Sequence, residues 1–66
     1  MYLTDLINNI KKGQIARVTF RGERWYVILS DGIRYCDLNG ENIGDTVELT
    51  RKNILAHYDL IKKGEW

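Results

Sequence analysis

The apolar positions at the start of the chain recur at helical spacing. Four large aliphatic side chains stand at i, i+3, i+4 and i+7: Leu3, Leu6, Ile7 and Ile10. That spacing places them on one face of a helix of about three turns. We therefore predict an amphipathic helix from about residue 3 to residue 12.

The residues around this segment fit the ends of a helix. Thr4 is a candidate N-cap, and Asp5 follows it in the first turn, where a carboxylate suits the helix dipole. Lys11 and Lys12 stand in the last turn, and Gly13 follows as a typical stop signal.

After the first glycine the apolar period changes from 3.6 residues to two, which is typical of β-strands. Turn signals separate the apolar segments: Arg21-Gly22-Glu23, Asp31-Gly32, Asn39-Gly40 and Gly44-Asp45. Five strands are predicted, at about residues 14–20, 24–30, 33–38, 46–49 and 58–61. Thr50 is also a candidate N-cap for one short helical turn over residues 51–56.

The predicted fold class is therefore α+β, with one domain covering residues 1–66. One N-terminal amphipathic helix precedes a small twisted antiparallel sheet, or a half-open barrel, of four to five strands. The short strands and tight turns favour a meander, in which each strand pairs with the next. The helix is expected to cover one face or one open end of the sheet.

The length of 66 residues makes self-association a reasonable expectation. Domains of this size have marginal stability and usually rely on disulfides, a metal or a partner subunit. A single cysteine, Cys36, excludes an internal disulfide, and a single histidine, His57, provides too few ligands for a zinc site. The remaining options are a partner subunit or a core unusually rich in large side chains, which the 44% hydrophobic content partly provides. We expect a homo-oligomer.

The charge balance weakens two classes of partner. The net charge is +1, whereas nucleic-acid-binding domains usually carry a basic excess. No apolar run approaches the ~18 residues of a membrane span, so no membrane partner is expected. The single cysteine and the absence of a recognisable export signal favour the cytoplasm.

Catalysis is not expected from this sequence, and no cofactor is predicted. Cys36 and His57 are the one candidate pair of nucleophile and base. A structural cysteine is the favoured interpretation, because free cysteine usually behaves as a small hydrophobe. The sequence contains no glycine-rich phosphate loop, paired carboxylates or metal-binding motif. His57 next to Tyr58 is more often structural than functional.

Four arginines, Arg17, Arg21, Arg24 and Arg34, lie on adjacent predicted strands or their turns, and aromatic residues are interleaved with them. The candidate ligand-binding residues are Arg17, Phe20, Arg24, Trp25 and Tyr58. Arginine recognises phosphate through planar, bidentate hydrogen bonds, and aromatic rings stack on bases. This combination suits a ligand that carries a phosphate and a base. The alternative is that the arginines are solvated and the aromatic rings belong to the core.

The order of segments also resembles a known family. The beginning of the chain reads Leu6-Ile7-x-x-Ile10-Lys11-x-Gly13-Gln14-x-Ala16-Arg17, with Phe20 soon after. The end reads Leu49-Thr50-x-x-Asn53-Ile54-Leu55-Ala56-His57-Tyr58-Asp59-Leu60-Ile61. This is similar to a family of small phage and prophage β-meander proteins that includes the second class of Thoeris anti-defence (Tad) proteins.

The resemblance implies a function as well as a fold. Those Tad proteins sequester a cyclic ADP-ribose-type immune signal in pockets between the subunits of a homo-oligomer. By resemblance, this chain would be a phage or prophage protein that sequesters a nucleotide-type signal and blocks host defence. The family pattern places Arg17, Phe20, Ala56 and Tyr58 at the ligand.

Two other functions remain open at this stage. A compact β domain with exposed aromatic residues can serve as a phage-encoded inhibitor of a host enzyme. For that function the expected contacts are Trp66 and the hairpin tips at Asp31-Gly32 and Asn39-Gly40. A small nucleic-acid-binding barrel is the least favoured function, because the net charge is close to zero.

Overall fold

The computed structural model describes residues 1–61 and confirms the α+β fold class. The elements are α1 (Leu3–Asn9), β1 (Ile15–Phe20), β2 (Glu23–Leu29), β3 (Ile33–Cys36), α2 (Arg51–Leu55) and β4 (His57–Ile61). The strands form one antiparallel sheet in the order β3-β2-β1-β4, which does not close into a barrel. The predicted contact at Trp66 lies outside the described residues.

The first helix is shorter than predicted and begins at a different cap. It ends at Asn9, and Ile10 already has extended backbone angles. The N-cap position is Tyr2, without a side-chain cap, whereas Thr4 lies inside the first turn. Beyond the end of the helix, the main-chain N–H of Lys11 donates a hydrogen bond to the side-chain oxygen of Gln14 at 3.0 Å. That bond turns the chain towards β1.

The predicted strand at residues 46–49 is wrong. Thr46 forms a single bridge to β3, and no regular strand follows. The main chains of Gly44 and Asp45 both bond to Tyr35, so two residues lie opposite one, as in a β-bulge. The bulge interrupts the ladder before it extends, and the segment remains an irregular cover on the outer edge of β3.

The predicted meander holds for β1 to β3 but is wrong for β4. The last strand crosses the domain and pairs with β1, with Tyr58 opposite Val18. The outer edge of β3 is already occupied by residues 44–47, so the edge beside β1 accepts β4. Met1 then covers the far side of β4 through two main-chain hydrogen bonds with Tyr58, at 2.7 and 2.9 Å.

The main core lies between the helices and one face of the sheet, which we call the helix face. Its buried side chains are Leu3, Leu6, Ile10, Ala16, Val18, Val27, Ala56 and Tyr58. Strand side chains alternate between the two faces, so every second residue of β1 and β2 reaches this core. The apolar stripe predicted for α1 is therefore the stripe that packs on the sheet, although Ile7 stays exposed.

A smaller apolar cluster lies on the second face. It contains Ile15, Ile28 and Ile61, and the loop after β3 crosses it at Gly40. Asp37 holds that loop in shape, because its carboxylate accepts hydrogen bonds from two main-chain N–H groups and one side-chain amide. These bonds lower the pKa of Asp37, with the N–H of Glu41 contributing most.

We expect Gly40→Ala to destabilise the domain more than Gly13→Ala. Both glycines have positive φ, so each alanine carries a strain of about 1–2 kcal/mol. A methyl group at Gly40 would also lie 2.8 Å from Cδ1 of the buried Ile15, whereas nothing lies within 4 Å at Gly13. That overpacking adds about 1–3 kcal/mol. Equal melting temperatures for the two variants would contradict this packing.

Candidate functional site

The structure places the five predicted site residues on two different faces of the sheet. Phe20, Trp25 and Tyr58 lie on the helix face, as their register with Val18 and Glu23 shows. The two arginines point to the second face because they alternate with these residues along β1 and β2. One small ligand therefore cannot contact all five side chains together.

Tyr58 belongs to the core in this structure. It is fully buried, and its hydroxyl donates a hydrogen bond to the main-chain oxygen of Asn53 at 2.8 Å. Burial, with a smaller contribution from Tyr35, raises the pKa of Tyr58 to about 12. A base could stack on this ring only if the core opened, so Tyr58 does not contribute to a surface site.

The arginines of the second face stand beside polar neighbours. Arg17 is half-buried and lies opposite Tyr26 and Asp59 in the strand register. Arg24 is exposed and lies opposite Thr19. Within residues 1–61, neither arginine forms an ion pair. Their role in ligand binding stays a prediction.

A pocket with three basic residues lies at the end of the sheet where β1 turns into β2. Its volume is about 430 Å³, and we call it the basic pocket. Its lining residues are Phe20, Arg21, Arg51, Lys52 and Leu55. Phe20 ends β1, Arg21 follows in the hairpin turn, and α2 supplies the other three, so the pocket joins segments that are some thirty residues apart.

Arg21 occupies an unusual backbone position in this pocket. Arg21 and Gly22 have φ angles of 48° and 84°, which correspond to the left-handed turn that favours Asn-Gly. A long side chain in this conformation costs about 1–2 kcal/mol. The guanidinium carbon lies 5.2 Å from the ring centroid of Phe20, close enough for a cation–π contact. The turn therefore keeps a strained arginine over the pocket's aromatic ring.

The charges of the basic pocket are only partly neutralised. Lys52 Nζ lies 2.6 Å from Glu23 Oε2, and both side chains are about half exposed. The other ion pair within the described residues, Arg34 with Asp31, lies at the next hairpin. Arg21 and Arg51 thus have no acidic partner in this part of the chain, and an anion entering the pocket would meet two uncompensated guanidinium groups.

A second cleft adjoins the basic pocket on the other side of Lys52. It measures about 290 Å³, and we call it the Trp25 cleft. Its lining residues are Trp25, Tyr26, Tyr35, Cys36, Thr50, Lys52 and Asn53. The ammonium of Lys52 lies 4.9 Å from the indole centroid of Trp25, so this one side chain borders both cavities.

The indole N–H of Trp25 is a buried donor without a partner. Its nitrogen is inaccessible to solvent and has no acceptor within the described residues. Such a group costs about 1–3 kcal/mol of stability. Tyr35 has a related surplus, because its hydroxyl accepts from Asn53 at 3.0 Å while its proton finds no acceptor within residues 1–61.

Asn53 fixes α2 against the sheet and so shapes both cavities. The side chain of Thr50 caps the helix by accepting from the N–H of Asn53 at 3.2 Å, as the sequence predicted. The buried amide of Asn53 donates to the hydroxyl of Tyr35 and to the main-chain oxygen of Glu48. Its main-chain oxygen accepts from Tyr58. Four segments of the chain meet at this residue.

Sequence reasoning named Arg21 among the arginines of the strands and turns but did not select it for the site, and it missed Arg51, Lys52 and Asn53. The Thr50 cap correctly indicated the short helix, but nothing local indicated which strand the helix packs against. The Arg-Gly sequence was a usable signal, because arginine is an unfavourable residue at a left-handed turn position.

A third cavity is apolar and lies beside α1. This apolar groove measures about 340 Å³, and its lining includes Ile7, Ile33, Val47 and Leu49. Ile7 is 55% exposed and Leu49 is 75% exposed, which is high for large aliphatic side chains. The groove carries no charged residue in its lining.

The pair of Cys36 and His57 cannot act as nucleophile and base in this fold. They lie on β3 and β4, the two edge strands, with β2 and β1 between them. Three strand spacings of about 4.8 Å separate them by roughly 14 Å, well beyond hydrogen-bond reach. Within the described residues, no three histidine, cysteine or acidic side chains gather as a metal site.

The thiol of Cys36 is expected to react slowly at neutral pH. Burial, and secondly the charge of Asp37, raise its pKa from 9.0 to about 11. The thiolate is the reactive form, so the alkylation rate with iodoacetamide should keep rising with pH up to about 11. A rate that levels off near pH 8.5, as in a free thiol, would contradict this environment.

Comparisons of the chain with protein-family models, with curated proteins and with solved structures found no match. Among the helices described here, none is long and apolar enough to span a membrane. Functional inference therefore rests on the geometry of the pockets.

Proposed function

We propose that this protein binds and sequesters a phosphate-bearing, nucleotide-type ligand, and that the basic pocket receives the phosphate. The observation that carries the proposal is that Arg21, Arg51 and Lys52 line one pocket together with Phe20. Guanidinium groups form strong charge-assisted hydrogen bonds with phosphate oxygens, and an aromatic ring provides a surface for a base or a ribose.

The backbone of Arg21 supports this function independently. Strained backbone conformations cluster at functional sites, where the surrounding structure holds them in place. Asparagine would fit the turn better, yet the position holds an arginine whose guanidinium lacks an acidic partner within residues 1–61.

The biological role belongs to the same proposal. The segment order that resembles the Tad proteins supports a phage or prophage protein that removes a cyclic ADP-ribose-like or cyclic nucleotide signal and so blocks host defence. Sequestration requires binding without turnover, and an open basic pocket is sufficient for that. The protein would act in the cytoplasm of the bacterial host cell. The proposal retains Phe20 from the predicted site and adds three basic residues.

A thermal-shift panel tests the proposal. Purified protein is melted with cyclic ADP-ribose, cyclic mononucleotides, linear nucleotides and inorganic phosphate, and a short single-stranded oligonucleotide is included as a nucleic-acid arm. A ligand present at 100 times its Kd stabilises the fold by about 2.7 kcal/mol. For a domain of this size that corresponds to a rise in Tm of roughly 10 °C or more. No shift with any phosphate-bearing ligand would refute the proposal.

Self-association is part of the same hypothesis. A subunit partner would supply the stability that such a small domain lacks, and it could complete a pocket that is open in one chain. A native mass spectrum of protein purified from its host would report both the number of subunits and any retained ligand. If the protein is a stable, folded monomer in dilute solution, self-association is refuted and is no longer part of the proposal.

Inhibition of a host protein is the second candidate, and the apolar groove favours it. Exposed aliphatic side chains around a concave surface are typical of protein-binding sites. Ile7→Glu and Leu49→Glu would then abolish the recovery of one stoichiometric host protein, whereas variants of the basic pocket would retain it. The opposite pattern would assign partner recognition to the basic pocket.

A further inference from the structure

The basic pocket and the Trp25 cleft are separated by one flexible side chain. Lys52 contributes to the lining of both cavities. In this structure its ammonium is held by the carboxylate of Glu23 and rests over the indole of Trp25. The ion pair that holds Lys52 can break and re-form in solvent, because the side chains of Lys52 and Glu23 are 50% and 62% accessible.

The two cavities differ in chemistry. The basic pocket is lined by three cations and Phe20, whereas the Trp25 cleft, apart from the shared Lys52, offers aromatic surfaces and neutral polar groups. Two residues of its lining carry donors that have no acceptor within residues 1–61: the indole N–H of Trp25, whose nitrogen is buried, and the hydroxyl of Tyr35, which accepts from Asn53. A cleft of this kind matches a planar ring that carries hydrogen-bond acceptors, such as a nucleobase.

We propose that the ligand has two parts: an anionic group that enters the basic pocket, and a neutral planar ring with hydrogen-bond acceptors that enters the Trp25 cleft. Lys52 leaves Glu23 for the anion, and this movement uncovers the indole for the ring. The inference rests on the proposed function and narrows its ligand class to nucleotides whose base is bound as well as their phosphate.

Glu23 has a defined role in this arrangement. Its carboxylate competes with the ligand's phosphate for the ammonium of Lys52. Glu23→Gln removes that competitor and adds no cation to the pocket. We therefore expect the variant to bind every phosphate-bearing probe more tightly than the wild type does, by up to about fivefold, in proportion to the loss of one exposed ion pair.

The test uses the fluorescence of Trp25 as a local reporter. The chain has two tryptophans, so Trp66→Phe leaves Trp25 as the single indole. This protein is titrated with adenosine 5′-monophosphate, adenosine and inorganic phosphate, with calorimetry in parallel. Adenosine monophosphate is expected to bind at least about tenfold more tightly than phosphate and to change the Trp25 emission.

Two variants localise the ring. Tyr35→Phe removes one surplus donor while keeping the ring, and Trp25→Phe removes the other. Each should reduce the affinity for adenosine monophosphate several-fold and leave the affinity for inorganic phosphate unchanged. A melting curve first establishes that each variant is folded. If Trp25→Phe does not fold, the test relies on the affinity of Tyr35→Phe and on the Trp25 emission of the Trp66→Phe protein.

The outcomes separate this inference from the proposed function. If phosphate and adenosine monophosphate bind equally, and Trp25 emission does not respond, the two-part ligand is refuted while the anion site stands. If neither phosphate-bearing probe binds, and the wider panel of phosphate-bearing ligands also fails, both proposals fall. Reduced phosphate affinity in Glu23→Gln would refute the role assigned to Lys52.

Discussion

The double variant Arg21→Asn/Arg51→Gln is expected to lose nucleotide binding by at least about 100-fold while remaining as stable as the wild type. Each guanidinium contributes a charge-assisted hydrogen bond, and such bonds are worth about 1.5–3 kcal/mol, or roughly tenfold or more in affinity. Titration calorimetry at low and moderate salt measures the loss, and the wild-type affinity should itself fall as salt screens the pocket.

The double variant should keep the wild-type stability because of the backbone conformation of the turn at Arg21. Asparagine is a preferred residue at the left-handed position of Arg21, so the variant relieves about 1 kcal/mol of strain. The lost cation–π contact with Phe20 offsets roughly 0.5–1 kcal/mol of that gain. A reduced affinity in this variant therefore cannot be attributed to unfolding.

A charge-matched control accompanies the double variant. Lys11→Gln/Lys12→Gln also removes two positive charges, but these lysines precede β1, whereas the basic pocket lies beyond the end of β1. Six strand residues place them roughly 20 Å from the pocket. Equal losses in the two double variants would show that net charge, and not the pocket, binds the ligand.

Tyr58→Ala should unfold the domain or bring it close to unfolding. Removing a large buried aromatic side chain costs about 3–5 kcal/mol. At about 0.05–0.15 kcal/mol per residue, a chain of this length has a total stability of roughly 3–10 kcal/mol. Urea denaturation followed by circular dichroism measures the change. Tyr2→Ala, at a half-exposed ring, is the control and should cost much less.

Tyr58→Phe separates the hydroxyl from the ring. It leaves the main-chain oxygen of Asn53 without its donor, which costs about 1–2 kcal/mol and a few degrees of melting temperature. A Tyr58→Ala protein with the wild-type melting curve would contradict the placement of this residue in the core.

The ionisation of Tyr58 predicts a further difference at alkaline pH. Its pKa is raised from 10.0 to about 12, so ionisation favours the unfolded chain. The stabilisation that protonated Tyr58 gives the folded chain is fully present below about pH 10, and it is lost as the pH rises from about 10 to about 12. The wild type should therefore lose more stability than Tyr58→Phe over this interval.

The candidate site was only partly predictable from the sequence. The pairing of arginine with aromatic rings predicted a phosphate-bearing ligand, which stays a prediction, and of the residues chosen for the site Phe20 lines the basic pocket. Arg17 and Arg24 were selected because they lie close to aromatic residues along the predicted strands. Adjacent strand residues point to opposite faces, so Arg17 and Arg24 are separated from Phe20 and Trp25 by the sheet itself.

The sequence by itself determined the local elements. The spacing of Leu3, Leu6 and Ile10 specified the buried face of α1, Thr50 specified the start of α2, and the glycine-containing turns specified the β1–β2 and β2–β3 hairpins. Each of these signals acts over a few residues, because helix periodicity, capping and turn conformation are short-range effects.

Only the tertiary structure decided where β4 pairs and which residues form the pockets. The bulge at Gly44 and Asp45 occupies the edge of β3, so β4 joins β1 instead and brings α2 over the first hairpin. The resulting contact between Glu23 and Lys52 links residues that are 29 positions apart. Such contacts depend on competition between whole segments for the same sheet edge, and no local pattern encodes the result of that competition.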